Sequence, residues 1–387
     1  MKKKIAILGS TGSIGVSTVS LIEKNIKDFS IELISTNKNI KLVEKQCKKL
    51  KPKYLVIKNY KSFLKFKEKN KFKKIKIFNN YNFTKKIFKK KIDYTISAIS
   101  GFEGLEPTLK IIPFTKTIAI ANKESLICAW NLIEKKLKIN KTRFIPIDSE
   151  HFSIWSLIKD SNENIEKIFI TASGGPFLNS KRKNLKKIKP SDAIKHPRWN
   201  MGKKISIDSA TLINKVFEII EAKKIFNIPI DKFEILIHPH SYVHAIVKFK
   251  NGLTKFLLHE TDMKVPIFNS IYFNENKNLK SSQLNFEKIN DLKFKKVNKN
   301  QFNSVKIINY FKNTKNTLYE TVLVSANDEL VSLFLNKKIK FLDISKKLIM
   351  IMNLNEFKKK RKIIPKNFKQ ISNLNKYVRL KTQSLCV

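Results

Sequence analysis

Apolar positions follow two different rhythms along this chain. In the first third, short apolar runs at Lys4–Leu8, Ile31–Ser35, Tyr54–Ile57, Ile75–Phe78, Tyr94–Ile99, Thr117–Ala121 and Phe144–Ile147 alternate with helical stretches. Such short runs read as buried strands, and the alternation predicts βαβ units around a mostly parallel sheet. From about Ser149 to Asn274 the pattern mixes predicted strands (Lys167–Thr171, Glu234–His238, His244–Phe249) with one helix over Ala210–Lys224, as in an α+β domain. Residues 275–303 are rich in Asn and Lys and only weakly periodic, as a linker is. Beyond them Val305–Phe311, Thr321–Leu335 and Ile344–Met352 predict amphipathic helices of a small bundle. The last stretch is basic and without a defined pattern, and no internal repeat is visible. The expected fold class is α/β, divided at 1–148, 149–274, a linker 275–303, and a C-terminal helical bundle 304–387.

Length and composition support this division and narrow the function. A chain of 387 residues exceeds one ordinary core, so two or three domains are expected. No segment approaches the ~18 consecutive apolar residues of a membrane span. The start, MKKKIAILGS, has an apolar run of only Ile5 to Leu8 before a glycine turn, so it reads as a first strand of a cytoplasmic protein rather than a signal peptide. Cys47, Cys128 and Cys386 are scattered without metal or disulfide spacing. The charge is extreme, with 79 basic against 31 acidic residues and a net charge of +48. A nucleic-acid binder would carry such charge on one face or arm. Here lysines run from Lys2 to Lys381, together with abundant Asn, Ile and Phe, all with A/T-rich codons. The charge therefore reads as compositional drift, with no specific nucleic-acid partner expected, although it concentrates anionic substrates near the surface.

Against this background the nine glycines stand out by clustering. Gly9, Gly12 and Gly15 follow the first strand and open a helix near Ser13. Backbone N–H groups at such a helix start bind pyrophosphate. The second strand ends Ser35-Thr36-Asn37-Lys38-Asn39 and lacks the acidic residue that holds a ribose 2′-hydroxyl. Lys38 supplies a cation instead, which favours NADPH with its 2′-phosphate. Gly174 and Gly175 flank Ser173 in TASGGPF, a candidate anion loop.

Polar clusters fall at three more strand ends: Ser100-Gly101, Asn122 to Ser125, and Asp148 to His151. Ligands of open α/β sheets sit at the carboxyl ends of strands. Asp148 and Glu150, two apart, point the same way if the segment is extended, and two carboxylates side by side invite a hard divalent cation. The helix over Ala210–Lys224 puts Asn214 and Glu218 at i, i+4 and Lys215 and Glu218 at i, i+3, with Glu221 a turn further on. Ser209, Asn214 and Lys215 suit a phosphate, and Glu218 completes a metal site. Three nearby histidines, His238, His240 and His244, raise the alternative of zinc, but the carboxylates make the better site.

Taken in order, LGSTGSIG, ANKES, PIDSEH, TASGGPF, HPRWNMGKKISIDSAT, NKVFEIIEA and IHPHSYVHA resemble the 1-deoxy-D-xylulose 5-phosphate reductoisomerase family from Leu8 to about Pro266, with a weaker echo in SANDELV, Ser325–Val331. The resemblance implies a Rossmann-like NADPH domain, a central catalytic domain with a closing loop at about 173–203, a C-terminal helical bundle, and a homodimer. It implies the conversion of a small phosphorylated substrate, 1-deoxy-D-xylulose 5-phosphate, to 2-C-methyl-D-erythritol 4-phosphate by carbon–carbon rearrangement and hydride reduction. Carried over, Thr11, Gly12, Ser13, Ile14, Asn37, Lys38, Asn39, Asn122, Glu124 and Gly202 bind NADPH. Asp148, Glu150 and Glu218 bind Mg²⁺, Mn²⁺ or Co²⁺. Lys123, Ser149, Glu150, Ser173, His196, Trp199, Ser209, Asn214, Lys215 and Glu218 bind substrate, with Trp199 and Met201 in the closing loop. Lys123, Glu150 and His196 are the catalytic set.

This sequence departs from the family at Asn37, often Gly, at His240, often Gln, and at His259 and Thr261, often Gly and Pro. None of these is a metal ligand. Two other readings compete. A semialdehyde dehydrogenase also opens with a TG-type glycine turn, but it needs an activated Cys with a His base and no carboxylate triad, and Cys128 has no recognisable partner in sequence. A nucleic-acid-binding protein accounts for the charge but not for glycines and carboxylates gathered at strand ends.

Overall fold

The computed structural model describes residues 2–69, 71–161, 164–180, 182–199 and 201–386. The chain forms two compact units, one of residues 1–125, 132–148 and 263–280, the other of residues 126–131, 149–262 and 281–387. The closing loop expected at about 173–203 lies in the second, and its Lys181 and Asn200 are outside the described residues.

In the first unit the described residues form a seven-stranded sheet. The strands are β1 (Lys3–Leu8), β2 (Phe29–Thr36), β3 (Tyr54–Ile57), β4 (Lys76–Phe78), β5 (Ile92–Ser97), β6 (Thr115–Ile120) and β7 (Arg143–Pro146). Their order is β4-β3-β2-β1-β5-β6-β7 and every pairing is parallel. Parallel strands are covered on both faces, which is why Ile5, Ala6, Ile7 and Leu8 are all fully buried and read as one apolar run. The order reverses between β1 and β5, the switch point where such sheets bind ligands, and the helix Ser13–Lys24 leaves β1 there. The helix Lys264–Ile271 completes this unit, with Tyr94 Oη 2.6 Å from Ser270 Oγ.

The second unit holds a mixed sheet of β8 (Ile165–Ala172), β9 (Phe233–Ile237), β10 (Val243–Phe249), β11 (Thr254–Leu258) and β12 (Lys295–Lys296), in the order β11-β10-β8-β9-β12. The helices Ser149–Ile158 and Ile213–Phe226 pack on this sheet and on each other. The helices Tyr319–Leu335, Phe341–Met352 and Phe368–Cys386 pack together in the same unit.

Several expectations change. The helix expected over Ala210–Lys224 is two helices, Lys203–Ala210 and Ile213–Phe226. The break comes where the Thr211 hydroxyl donates back to the Ile207 carbonyl at 3.1 Å and Leu212 turns left-handed, at φ 57°. Asp148 and Glu150 do not share an extended strand. β7 ends at Pro146, and Glu150 is the second residue of the helix Ser149–Ile158. The segment expected as a linker, 275–303, contains the helix Phe286–Asn290 and strand β12, which pairs with β9. The expected helix Val305–Phe311 is a 3-10 helix, Asn303–Phe311. The basic C-terminal stretch is a 19-residue helix whose buried positions Ile371, Leu374 and Val378 are spaced by three and four. Residues 281–387 group with 149–262 rather than apart, held by β12, by the ion pair of Lys224 with Glu320 (2.9 Å), and by Asn327, which donates to Asp208 (2.8 Å).

Candidate active site

In the first unit the nucleotide loop is shaped by close approach. A Cβ on Gly15 would lie 2.2 Å from the Gly9 carbonyl oxygen, so only glycine lets the helix start pack under the turn. Thr11 Oγ1 lies 2.7 Å from Thr36 Oγ1, tying the loop to the end of β2. Asn37, Lys38 and Asn39 follow β2 and are exposed, and Asn39 Oδ1 caps the next helix by accepting from Leu42 N–H at 3.2 Å. At the end of β6, Asn122 is buried. Its Oδ1 accepts from Ser125 N–H at 2.6 Å and its amide donates to the Gly101 carbonyl at 2.6 Å. That cap fixes the start of the helix Lys123–Ile139, where Lys123 and Glu124 are buried too. Lys123 Nζ stands 2.8 Å from Asp148 Oδ2.

Asp148 is the last residue of the first unit, and the chain passes through Ser149 directly to Glu150 in the second. Glu150 lies in the first turn of its helix, where the helix dipole favours a carboxylate. A carboxylate oxygen of Glu150 and one of Glu218 lie within 4.8 Å of one another. Lys215 Nζ bridges them, 2.7 Å from Glu218 Oε2 and in contact with Glu150. Lys215 is 6% exposed and Glu218 is 1% exposed. Burial works against the ammonium, but Glu150 and Glu218 beside it outweigh that and hold Lys215 above its ordinary pKa. Asn214 donates to Glu218, and the Ser149 hydroxyl donates to Glu150. Thus Ser149, Glu150, Asn214, Lys215 and Glu218 converge from two helices. Hard oxygen donors packed this densely, balanced by a buried cation, fit a divalent ion of the Mg²⁺ or Mn²⁺ class.

Behind Glu218 lie two residues that the motif reading did not assign. His151 Nε2 is 2.9 Å from the Glu218 carbonyl oxygen, and His151 Nδ1 is 3.5 Å from Glu221 Oε1. Both side chains are buried, and both belong to the quoted strings PIDSEH and NKVFEIIEA.

A second cluster in this unit centres on Ser173 and His196. His196 Nδ1 accepts from the backbone N–H groups of Arg198 (3.2 Å) and Trp199 (2.9 Å). Its proton is thereby placed on Nε2, which donates to Ser173 Oγ at 2.9 Å. Ser173 Oγ also accepts from Gly175 N–H at 3.1 Å, leaving the hydroxyl proton to be donated outward. Burial, and then the charge of Lys215, push His196 down to about 4, so it is neutral near pH 7. Gly175 has φ 67°, and a Cβ there would meet Ala210 Cα at 2.9 Å and the Ser209 carbonyl at 3.1 Å, so glycine brings this loop against Ser209. Trp199 meets His244 edge to face at 6.0 Å. Gly202 is exposed and heads the helix Lys203–Ala210.

The alternative zinc histidines are each engaged by another partner, although the His238 and His240 rings lie 6.1 Å apart. His238 stacks on Phe294 at 4.8 Å, His240 Nε2 lies 3.3 Å from Asp291, and His244 stacks on His259 at 3.8 Å. Among the described residues, no helix is long and apolar enough to cross a membrane.

Comparison with known proteins identifies the family. Family models for 1-deoxy-D-xylulose 5-phosphate reductoisomerase match residues 5–130, and those for its C-terminal domains match residues 144–226 and 258–381. The chain is 57% identical to the 1-deoxy-D-xylulose 5-phosphate reductoisomerase of Pelagibacter ubique (strain HTCC1062) over 100% of both chains. It is 39% identical to that of Wolbachia sp. subsp. Drosophila simulans (strain wRi) over 88% of each. Among solved structures it is similar to the enzyme of Zymomonas mobilis in complex with NADPH, with a TM-score of 0.89, 31% identity and coverage of 100% and 99%. A reductoisomerase in complex with NADPH, fosmidomycin and magnesium matches with a TM-score of 0.89, 28% identity and coverage of 99% and 98%.

Proposed function

Because this chain belongs to the 1-deoxy-D-xylulose 5-phosphate reductoisomerase family, we propose a specific division of labour among its residues. The protein is an NADPH-dependent oxidoreductase that rearranges and reduces 1-deoxy-D-xylulose 5-phosphate to 2-C-methyl-D-erythritol 4-phosphate, a step of isoprenoid precursor synthesis. Its cofactors are NADPH and a divalent metal.

Asp148, Glu150 and Glu218 would hold the metal, which is Mg²⁺, Mn²⁺ or Co²⁺. Bound there, the ion supplies Lewis acidity toward the substrate's ketone and adjacent hydroxyl oxygens, and NADPH supplies hydride. The observation that carries this reading is Lys215, a buried ammonium held between Glu150 and Glu218. Two carboxylates buried side by side repel unless a cation or a proton lies between them. A divalent ion held there would supply that positive charge, and Lys215, with Ser173, Ser209 and Asn214, would bind the substrate phosphate. Ser173 donates its hydroxyl proton to that phosphate, since His196 Nε2–H and Gly175 N–H already occupy its oxygen as donors. Lys123 and Ser149 approach the oxygen-bearing end of the substrate. Lys123 and Glu150 exchange protons with it, while neutral His196 orients it.

Thr11, Gly12, Ser13, Ile14, Asn37, Lys38, Asn39, Asn122, Glu124 and Gly202 bind NADPH, the Lys38 ammonium meeting the 2′-phosphate. The loop 173–203 closes with Trp199 over the substrate and excludes water from the metal. Residues 1–148, completed by the helix Lys264–Ile271, serve as the NADPH domain, 149–262 as the catalytic domain, and 304–387 as the C-terminal bundle grouped with it. The protein works in the cytoplasm as a homodimer. Edge strand β11 and the turn before it expose Phe256 (48%) and Leu253 (51%), an apolar sheet edge of the kind a second copy covers.

The test is the loss of NADPH absorbance with 1-deoxy-D-xylulose 5-phosphate and Mg²⁺ or Mn²⁺, repeated with EDTA. Metal-dependent oxidation is expected. Undiminished oxidation in EDTA would overturn the metal assignment.

A further inference from the structure

We propose that His259 is a positioning residue for the closing loop: its ring is the base on which His244 stacks, and His244 in turn is the surface that Trp199 meets. The inference rests on the reading that Trp199 closes over the substrate. It goes beyond that reading by assigning a role to a residue at which this chain departs from its family.

The geometry starts in the pairing of β10 with β11. Val243 pairs with Leu258 and Ala245 with Leu257, so the register shifts across His244, which is the extra residue of a bulge. A bulge re-aims the side chain it contains. Here it turns His244 onto His259, the residue directly after β11, with ring centroids 3.8 Å apart and planes 20° from parallel. Backbone bonds lock both rings. His244 Nε2–H donates to the His259 carbonyl at 3.1 Å, and His259 Nδ1–H donates to the Glu260 carbonyl at 2.6 Å. His259 N–H donates to the Tyr242 carbonyl at 3.1 Å, which pins the base to the residue before β10.

The segment after His259 is fastened as well. Lys288 Nζ reaches both carboxylate oxygens of Glu260, at 3.0 and 2.9 Å. Thr261 Oγ1 points to the Arg198 carbonyl at 3.5 Å, one residue from Trp199. Trp199 in turn packs edge to face on His244 at 6.0 Å. Three rings therefore run in series from a fastened strand end to the tryptophan of the closing loop. His259 is 9% exposed, and its Nε2 has no hydrogen-bond partner among the described residues, so its contribution is the stacked ring face. With a small residue at 259, His244 loses its support and Trp199 closes on a looser base. That weakens substrate retention without touching the reacting atoms.

The experiment compares His259→Ala, His259→Phe and Trp199→Ala in steady-state kinetics, varying the sugar phosphate and NADPH separately, and in thermal melting. His259→Ala is expected to raise the sugar-phosphate KM by about 3- to 10-fold, with kcat and the NADPH KM nearly unchanged. His259→Phe, which keeps a stacked ring, is expected to stay within about twofold of the parent. His259→Leu fills the space without a ring and carries the same test if the alanine variant does not fold. A lowered melting temperature with unchanged KM in His259→Ala, or a Leu variant that stays as close to the parent KM as the Phe variant, would mean that His259 only fills volume and would overturn the proposal. An unchanged KM in Trp199→Ala would instead overturn the closing-loop reading itself.

Discussion

Lys215 Nζ lies 2.7 Å from Glu218 Oε2 and also contacts Glu150, and all three residues are buried. This is a charge balance that a metal can take over, and it can be read in stability without any assay of turnover. Lys215→Met removes the ammonium and leaves two carboxylates within 4.8 Å of one another. Breaking a buried ion pair from one side costs about 3–5 kcal/mol. Urea unfolding in EDTA should show that loss. Added Mg²⁺ should restore more stability to the variant than to the parent, because a ligand that binds only the folded state stabilises it by mass action. A variant as stable as the parent in EDTA would show that Lys215 is not the counter-ion.

Glu218→Gln tests the metal set from the other side. Glutamine keeps the shape and the hydrogen bond to Asn214 but removes a negative charge from the ligand set. Turnover should fall by about 100- to 1000-fold, the scale of losing one well-placed electrostatic group. NADPH binding and the circular dichroism spectrum should be preserved, since the cofactor loop belongs to the other unit. Near-normal activity would remove Glu218 from the metal ligands.

How much of this was legible in the sequence differs between elements. The strands of the first sheet could be read closely because a parallel sheet buries both faces, so Ile5 to Leu8 form an uninterrupted apolar run. Glu150, Asn214, Lys215 and Glu218 could be read as a group because helical spacing places three of them together. What local pattern could not carry was anything decided by tertiary contact. The extended segment expected at Asp148 and Glu150 is a helix start, and their proximity survives only because they are neighbours in the chain. The break at Leu212 depends on a Thr211 hydroxyl that finds the Ile207 carbonyl. The final helix hides three buried apolar residues among lysines and amides. The ring series from His259 to Trp199 needs a bulge, which has no composition of its own.

The buried imidazole of His244 gives the fold a pH dependence whose sign can be stated. Burial, and next the neighbouring His259, push His244 from its ordinary 6.5 down to about 3. A proton therefore binds the unfolded chain first. Stability from this group is complete above about pH 6.5 and is lost progressively as pH falls toward about 3. The largest slope one such group gives is about 1.4 kcal/mol per pH unit. His196, lowered to about 4, adds a smaller effect of the same sign because it is only half-buried. Urea unfolding from about pH 7 to about pH 5, above most carboxylate titration, should show falling stability that is shallower in His244→Phe. An identical slope in the two proteins would show that His244 does not titrate between the folded and unfolded states.

Asn327 offers the sharpest test of how the C-terminal helices support the site. Its Nδ2 donates to Asp208 Oδ1 at 2.8 Å, while Lys204 Nζ reaches Asp208 Oδ2 at 2.9 Å and Asp328 at 3.1 Å. Asp208 and Asn327 are both buried, and Asp208 immediately precedes Ser209 in the helix Lys203–Ala210. Asn327→Leu leaves a buried carboxylate short of one donor, and a cost of about 1–3 kcal/mol is expected in urea unfolding. Asn327→Asp should be worse, because it sets two carboxylates against each other beside a single ammonium. Exchanging the pair, Asp208→Asn with Asn327→Asp, restores one donor facing one carboxylate and should recover most of the loss. A double-mutant cycle over these variants measures the coupling directly. Purely additive effects would mean that this hydrogen bond does not join the C-terminal helices to the Ser209 helix in solution.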